Sequence, residues 1–525
     1  MSPRHRVALA LVALLALVAL ARAPGARGAD APGKVRLVVL HTNDVHGGIL
    51  PRSAALAQLD AKEDVGGHAA LASFVRAERA AAAAAGAHVL LLDGGDVWRG
   101  TPEGDLTRGD LVVEAFGRLG YDAVALGNHE LDLGVDNAAR LARAARYPWL
   151  AANVRETATG ETPAWLRRHV VKEVGGLRVG LVGLTTVDTP RIVVGGDRLG
   201  LTFLPEAAVA EEEARALASS TDLVLFVTHT GPRTDAEVLA KVPRCPLVVG
   251  GHTHQRLIEP LDPRGDRSGW IVQAGTGGVL VGRVVLDVDA TSKQVTLVES
   301  RLVPLVPSAV GTDPEEAAFL AQRLEAIDAL RALREVAGTL TAALPRVGRD
   351  PWDTSPAGHW FSDAAREAAR ADAALSNRGG IRVTLPAGPV TLRDLHLVMP
   401  FENTLVVVPL RGAELKAILA ASLTAEGRSP LEVSGISARY RLVTTDGKPK
   451  VEWRRFDVAG APVDDAKVYR VATNSFLAGG GDGYALLSRP GTEDLGVLVR
   501  DVLRDHLRRH APYTPDTATR LVREE

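Results

Sequence analysis

The chain has one cysteine, Cys245, in 525 residues, so it can form neither an internal disulfide nor a cysteine-rich zinc site. A protein of this length can bury real cores without such staples. It also lacks an excess of charge. Its 61 basic and 63 acidic residues leave a formal charge of −2, which removes the electrostatic case for binding a nucleic acid polymer or an anionic membrane. Anion recognition must then be local. Long apolar runs are missing too, except near the start, where basic MSPRHR is followed by the uncharged VALALVALLALVAL, Val7 to Leu20. A basic stretch, an apolar stretch and then small residues is the order of an export signal. Residues 1–28 are therefore expected to leave as a signal peptide, giving a periplasmic or secreted protein with no stable membrane anchor. No cysteine follows the run to carry a lipid, and the C-terminal TATRLVREE is polar.

What is present is alternation. Val35 to Leu40, His88 to Asp93, Asp122 to Leu126, Leu177 to Leu184, Leu223 to His229 and Pro246 to Gly251 read as buried strands. Helical stretches such as Gly67 to Ala85 and Pro205 to Ala218 lie between them, so residues 34–310 are expected to form an α/β layered domain. Leu320, Leu324, Ile327, Leu330 and Leu333 recur at helical spacing after Asp313-Pro314, which predicts an interdomain helix within 311–340. Residues 341–525 mix helices such as His359 to Ala371 with strands such as Leu405 to Leu410, as a second, α+β domain would.

The strands end in unusual chemistry. HTNDVHGG follows the first, DGGDVW closes the second, GNHELD follows the third, and THTG and GGHTH close two later ones. In extended chain, residues two apart point the same way, so Asp44 and His46 can address one point, as can His252 and His254. Singly, each is as well explained by a turn or a satisfied polar side chain. Five at the ends of neighbouring strands are a different matter, because open α/β sheets bind ligands along that edge. Asp44, His46, Asp96, Asn128, His229, His252 and His254 are too many donors for one four-coordinate ion. They suit two divalent ions, Zn, Mn, Co or Fe, sharing a carboxylate.

These five blocks, in this order, resemble the 5'-nucleotidase family, whose catalytic unit is a calcineurin-like metallophosphoesterase domain. The resemblance runs from about Arg36 to the end of the chain. It implies a layered metallophosphoesterase domain of β-sheets flanked by helices, followed by an α+β nucleotide-binding domain. It also implies Asp44, His46, Asp96 and His254 at one ion, and Asp96, Asn128, His229 and His252 at the other. His129 and Asp132 look like the family's catalytic dyad. The implied activity is release of phosphate from nucleoside 5'-monophosphates by attack of a metal-bridging hydroxide.

In the second half, SNRGGIR sets two arginines in a glycine turn suited to phosphate or carboxylate. MPFENT and NSFLAGGGDGY add Phe401, Phe476 and Asp482, chemistry able to stack a base and accept from ribose hydroxyls. By the same resemblance, Asn377 and Arg382 approach the sugar-phosphate side, Phe401 and Phe476 stack the base, and Asp482 takes the ribose. One departure stands out. The family carries a further phosphate-binding arginine before a helix opening Gly-Asn, whereas this chain reads GRDPWDTSPAGHWFSDA, with Arg346 and Arg349 nearest. That keeps a 2',3'-cyclic-nucleotide phosphodiesterase/3'-nucleotidase or a UDP-sugar diphosphatase as alternatives. From another class, a nucleotide-binding surface protein without turnover remains.

Overall fold

The apolar runs do form strands, and each side of every central strand is covered. The computed structural model describes residues 33–193, 195–348, 353–424, 430–445 and 447–524; the expected signal peptide and Arg349 lie outside them. The strands of the two large sheets of the first half are β1 (Lys34–Thr42), β2 (His88–Asp93), β3 (Ala123–Ala125), β4 (Trp149–Leu150), β5 (His169–Val174), β6 (Leu177–Thr185), β7 (Leu223–His229), β8 (Leu247–Val249), β9 (Trp270–Val272), β10 (Leu280–Asp289) and β11 (Val295–Pro304). One sheet has the order β11-β10-β1-β2-β3-β4 and the other β9-β8-β7-β6-β5. β1 to β4 are mutually parallel, as are β6 to β9, while β10 and β5 join as antiparallel neighbours.

The sheets pack face to face. Leu37, Val39, Leu90 and Leu92 of one share a core with Val179, Leu181, Leu225 and Val227 of the other. The intervening residues point outward, where Val38, Leu40 and Leu91 meet helices His68–Ala84 and Asp110–Leu119. On the far side Val224 and Phe226 meet helices Glu206–Leu217 and Pro232–Lys241. Four layers result, helix–sheet–sheet–helix. Burial on both faces is why these strands read as unbroken apolar runs. The hairpin β10–β11 and the edge strand β5 were not expected from the sequence, since Arg283, Asp287 and Lys172 interrupt their apolar pattern.

The interdomain helix expected at 311–340 needs correction. Helix Pro314–Glu325 is capped by Asp313 and ends well short of that span. It is docked on the first domain, with Leu320 in its core and Glu316 accepting from Arg118 Nε at 2.7 Å and paired with His68 at 2.9 Å. A short helix, Asp328–Ala332, follows, and Val336–Leu340 is a strand paired with Gly388–Thr391 of the second half. Leucine spacing cannot see that partner, which lies some fifty positions later and supplies the backbone hydrogen bonds that favour strand over helix.

In the second half, strands Glu432–Ser434, Ala373–Ser376, Val468–Asn474, Thr404–Arg411 and Glu493–Leu498 form one sheet in that spatial order. Helices Pro356–Ala369 and Val499–His510 pack on one face, and Gly412–Thr424 on the other. Among the described residues, no helix is long and apolar enough to cross a membrane.

Candidate metal centre and active site

The carboxyl ends of β1, β2 and β3 in one sheet, and of β7 and β8 in the other, open on the same edge of the molecule, and the polar blocks meet there. His46 Nε2 stands 3.1 Å from His254 Nε2, and His254 Nε2 stands 3.3 Å from Asp44 Oδ1. His46 Nε2 is 3.8 Å and His229 Nε2 3.1 Å from Asp96 Oδ2. His252 Nδ1 is 3.1 Å from Asn128 Oδ1. Five of the expected donors fall in two overlapping groups, Asp44 with His46 and His254 and Asp44 with Asp96 and His229, and the Asn128–His252 pair joins them through the His252 backbone N–H, which donates to Asp44. The loops that deliver them are bent hard: Asp44, His46, Asp96, His252 and His254 all have positive φ, between 49° and 79°. Non-glycine residues avoid this region, and where a fold holds them there the strain marks functional sites.

The donor set fits divalent cations. Bonds of about 2.0–2.2 Å give donor–donor edges of about 3–3.5 Å, close to the spacings found here. Two of the imidazoles are oriented as ligands are, with the other nitrogen held: His46 Nδ1 by Arg99 O at 2.7 Å and His229 Nδ1 by Gly94 O at 2.7 Å. His229 Nε2 is fully buried and close to Asp96, yet makes no aligned hydrogen bond, as expected of a nitrogen aimed at a cation site.

The electrostatics agree. Burial by itself would raise Asp44, but the imidazoles, His254 foremost, outweigh it and hold the carboxyl at about 2. Asp96 is likewise held well below its ordinary value, burial being overcome by His229, His129 and His46. His252, under burial and the positive charge of His229, is pushed down to about 4 and is a neutral donor. Burial opposes a charge on His229, but Asp96 and Asp44 prevail and raise it to about 10, so a cation bound here displaces that proton and meets ionised carboxylates.

Behind His229, Asp235 Oδ1 accepts from Thr228 and Thr230 at 2.7 and 2.6 Å, and burial pushes this carboxyl up to about 7. A carboxyl whose folded value lies above its unfolded value stabilises fully below the unfolded one, and that contribution is lost as pH rises through the folded one. At about 1.4 kcal/mol per unit, D235N should gain on the wild type by ~1–3 kcal/mol between pH 5 and pH 7 in urea unfolding. A gap that stays constant across that window would contradict the assignment.

Next to the donors, His129 Nδ1 lies 2.8 Å from Asp132 Oδ2, and His129 Nε2 faces Asp96 Oδ2 at 4.0 Å. Burial opposes a charge on this imidazole, but Asp132 and Asp96 prevail and its pKa is raised. Two neighbours went unassigned in the sequence reading. Arg99 Nε stands 3.5 Å from Asp132 and its Nη1 3.3 Å from Asp105, bracing the dyad. Glu130 is fully buried and accepts three backbone N–H groups, from Asp96, Val97 and Gly127 at 3.0, 2.8 and 2.7 Å. It therefore locks the β2 and β3 loops together, and burial, aided by Asp96, pushes it up to about 8. Gly127 is required at this crossing, because a Cβ there would sit 2.2 Å from Asp96 Oδ1. Arg99 directly follows GDVW, a position that could have drawn notice; nothing local marks Glu130.

A cavity of about 570 Å³ opens over this centre, and its opposite wall comes from the second half: Arg346, Asn377, Arg382, Phe401, Phe476 and Asp482 line it. Arg382 reaches across, with Nη2 3.1 Å from His46 Nε2 and its guanidinium carbon 5.6 Å from the Phe401 ring centre. Phe401 also faces His129, ring centres 5.9 Å apart. Asn377 Nδ2 donates to Asp482 Oδ2 at 3.0 Å and its Oδ1 accepts from Asn474 Nδ2 at 3.1 Å. The Phe476 ring lies over Gly481, where a Cβ would be only 2.6 Å away. Arg378 does not join them. It is buried and turned inward, donating to Glu432 Oε1 at 2.7 Å and to the carbonyl of Asp353. Ser355 donates to the same Glu432, so the divergent DTSP segment is spent on structure. Arg346 does face the cavity, its Nη1 donating to Arg382 O at 3.0 Å.

Comparison with known proteins matches two separate stretches of the chain. Residues 37–256 match the calcineurin-like phosphoesterase family and residues 336–489 the C-terminal domain of 5'-nucleotidases. Protein UshA of Yersinia enterocolitica is 29% identical over 97% of this chain and 97% of its own length. The 5'-nucleotidase of Vibrio vulnificus is 27% identical over 91% of both. Among solved structures, the 5'-nucleotidase precursor of Thermus thermophilus superposes with a TM-score of 0.82 at 28% identity, covering 93% of this chain and 99% of that one.

Proposed function

Because the chain belongs to the 5'-nucleotidase family of calcineurin-like phosphoesterases and is a phosphoric ester hydrolase, we propose that it is an exported, dimetal-dependent enzyme releasing phosphate from nucleoside 5'-monophosphates. One observation carries this reading: four of the metal-type donors, Asp96, Asn128, His252 and His254, line one wall of a cavity together with the His129–Asp132 pair, and the other wall holds two phenylalanines, two arginines and a carboxylate. The leader-like residues 1–28 support export.

Asp44, His46, Asp96 and His254 would hold one ion and Asp96, Asn128, His229 and His252 the other, with Asp96 shared. Nitrogen and oxygen donors without sulfur suit Zn, Mn, Co or Fe. When bound, such a pair supplies Lewis acidity toward phosphoryl oxygens and a water of lowered pKa. The chain's own groups do the rest. His129, held by Asp132, which favours its protonated form, would present its Nε2 proton to charge building on the phosphoryl group or the leaving oxygen. Arg382 neutralises phosphate charge from the opposite side, next to Asn377. Phe401 and Phe476 stack the base, worth about 1–3 kcal/mol per stacked base, and Asp482, now holding Asn377, accepts from ribose hydroxyls.

A second reading, a UDP-sugar diphosphatase or a 2',3'-cyclic phosphodiesterase, is favoured by the loss of Arg378 to Glu432, which leaves fewer cations for a terminal phosphate. Phosphate release from AMP, UMP, 2',3'-cyclic AMP and UDP-glucose, after reconstitution with Mn or Zn, decides between them. Monophosphates are expected to turn over fastest. Faster cleavage of UDP-glucose or of the cyclic ester would displace the first reading, and silence on every substrate would leave a nucleotide-binding protein.

A further inference from the structure

Helix Val499–His510 carries basic residues in its last turn, as its dipole favours, but two of its histidines do more. His506 and His510 are four apart and so share one face of the helix. Both turn Nε2 to a single oxygen, Oε2 of Glu367 on the neighbouring helix Pro356–Ala369, at 3.5 and 3.2 Å. The three donor atoms lie within 4.8 Å of one another, and the imidazole ring centres are 4.3 Å apart. A tetrahedral ion with bonds of about 2.0–2.2 Å sets donor–donor edges of about 3.3–3.5 Å, and the two edges to Glu367 match that. The other oxygen of Glu367 accepts from Arg509 Nη2 at 3.0 Å, which fixes the carboxylate while leaving Oε2 free to ligate. None of these residues lines the catalytic cavity.

We propose that Glu367, His506 and His510 form a second, separate site for one divalent transition cation, bound by two imidazoles and a carboxylate with water completing the shell. Two nitrogens and one oxygen select the Zn, Ni and Cu class over Mg and Ca, which take oxygen ligands. Glu367 and His510 are exposed and give the ion a route in from solvent, while His506 is buried and anchors it. Such an ion would clamp two helices that pack on the same core. Affinity should be modest. His506 Nδ1 has no hydrogen-bond partner, an outer contact whose loss typically weakens metal binding about 10–100-fold, and the Arg509 guanidinium adds like charge.

The full-length protein, stripped with chelator and dialysed against rising ZnCl2, tests this by counting zinc per chain by mass spectrometry. The wild type should saturate with about one more zinc than H510A, as expected for a three-ligand site losing a ligand. The His510 side chain is 46% exposed, so its truncation leaves the core intact. Equal saturating counts in wild type and H510A overturn the site. E367Q should also lose the extra ion, and a full count there removes the carboxylate from the assignment. Failure of the nucleotidase reading would show in the substrate panel and leave this difference in zinc count unchanged.

Discussion

Replacing Asp96 by asparagine is expected to lower phosphate release by at least ~10³-fold, the largest effect of any single substitution in this protein. The variant is nearly isosteric and can keep the hydrogen bond that Asp96 Oδ1 accepts from the backbone of His129 at 2.8 Å, so the loop geometry has reason to survive. What disappears is the charge. Asp96 Oδ2 faces His229, His46 and His129 at 3.1, 3.8 and 4.0 Å, which makes it, among the described residues, the one carboxylate that touches the donor groups and the dyad together. A neutral amide bridges two cations poorly, so metal per chain should fall along with kcat. D96N retaining both its full metal content and wild-type turnover would remove Asp96 from the centre, and with it the dimetal reading.

His129→Ala should give the second largest loss, about 10²–10⁴-fold, the range for a positioned acid–base group. Here the signature differs. His129 is oriented by Asp132 rather than by the donor cluster, so metal content should be unchanged and the loss should fall on kcat. KM should move little, since an interaction made chiefly in the transition state lowers kcat and kcat/KM together. A loss confined to KM, or accompanied by loss of metal, would recast His129 as a ligand or a substrate contact. The two variants therefore separate a metal-holding role for Asp96 in DGGDVW from an acid–base role for His129 in GNHELD.

Much of the layered half was legible because its strands are buried on both faces and end abruptly in polar blocks. Legibility failed where a partner distant in sequence decided the outcome. Val336–Leu340 looked like the end of a helix until Gly388–Thr391 offered it a strand. In SNRGGIR the two arginines are indistinguishable in the sequence; Arg378 is drawn inward by Glu432, 54 positions away, while Arg382 faces the cavity. Glu130 sits inside the most informative block, yet its part depends on accepting N–H groups from Asp96 and Val97 in another loop.

The sequence by itself determined the chemistry on offer: nitrogen and oxygen donors without thiol, at strand ends, in a chain with almost no net charge to spend on polymers. Which donors meet was decided by tertiary structure alone. His46 and His254 are 208 positions apart, and Arg382 reaches His46 across 336. The physical reason is that sheet order and the packing of one half against the other set these distances, and neither is encoded in local spacing. The left-handed backbone at Asp44, His46, Asp96, His252 and His254 has the same origin: only the surrounding fold can hold ordinary side chains in a conformation they would otherwise leave.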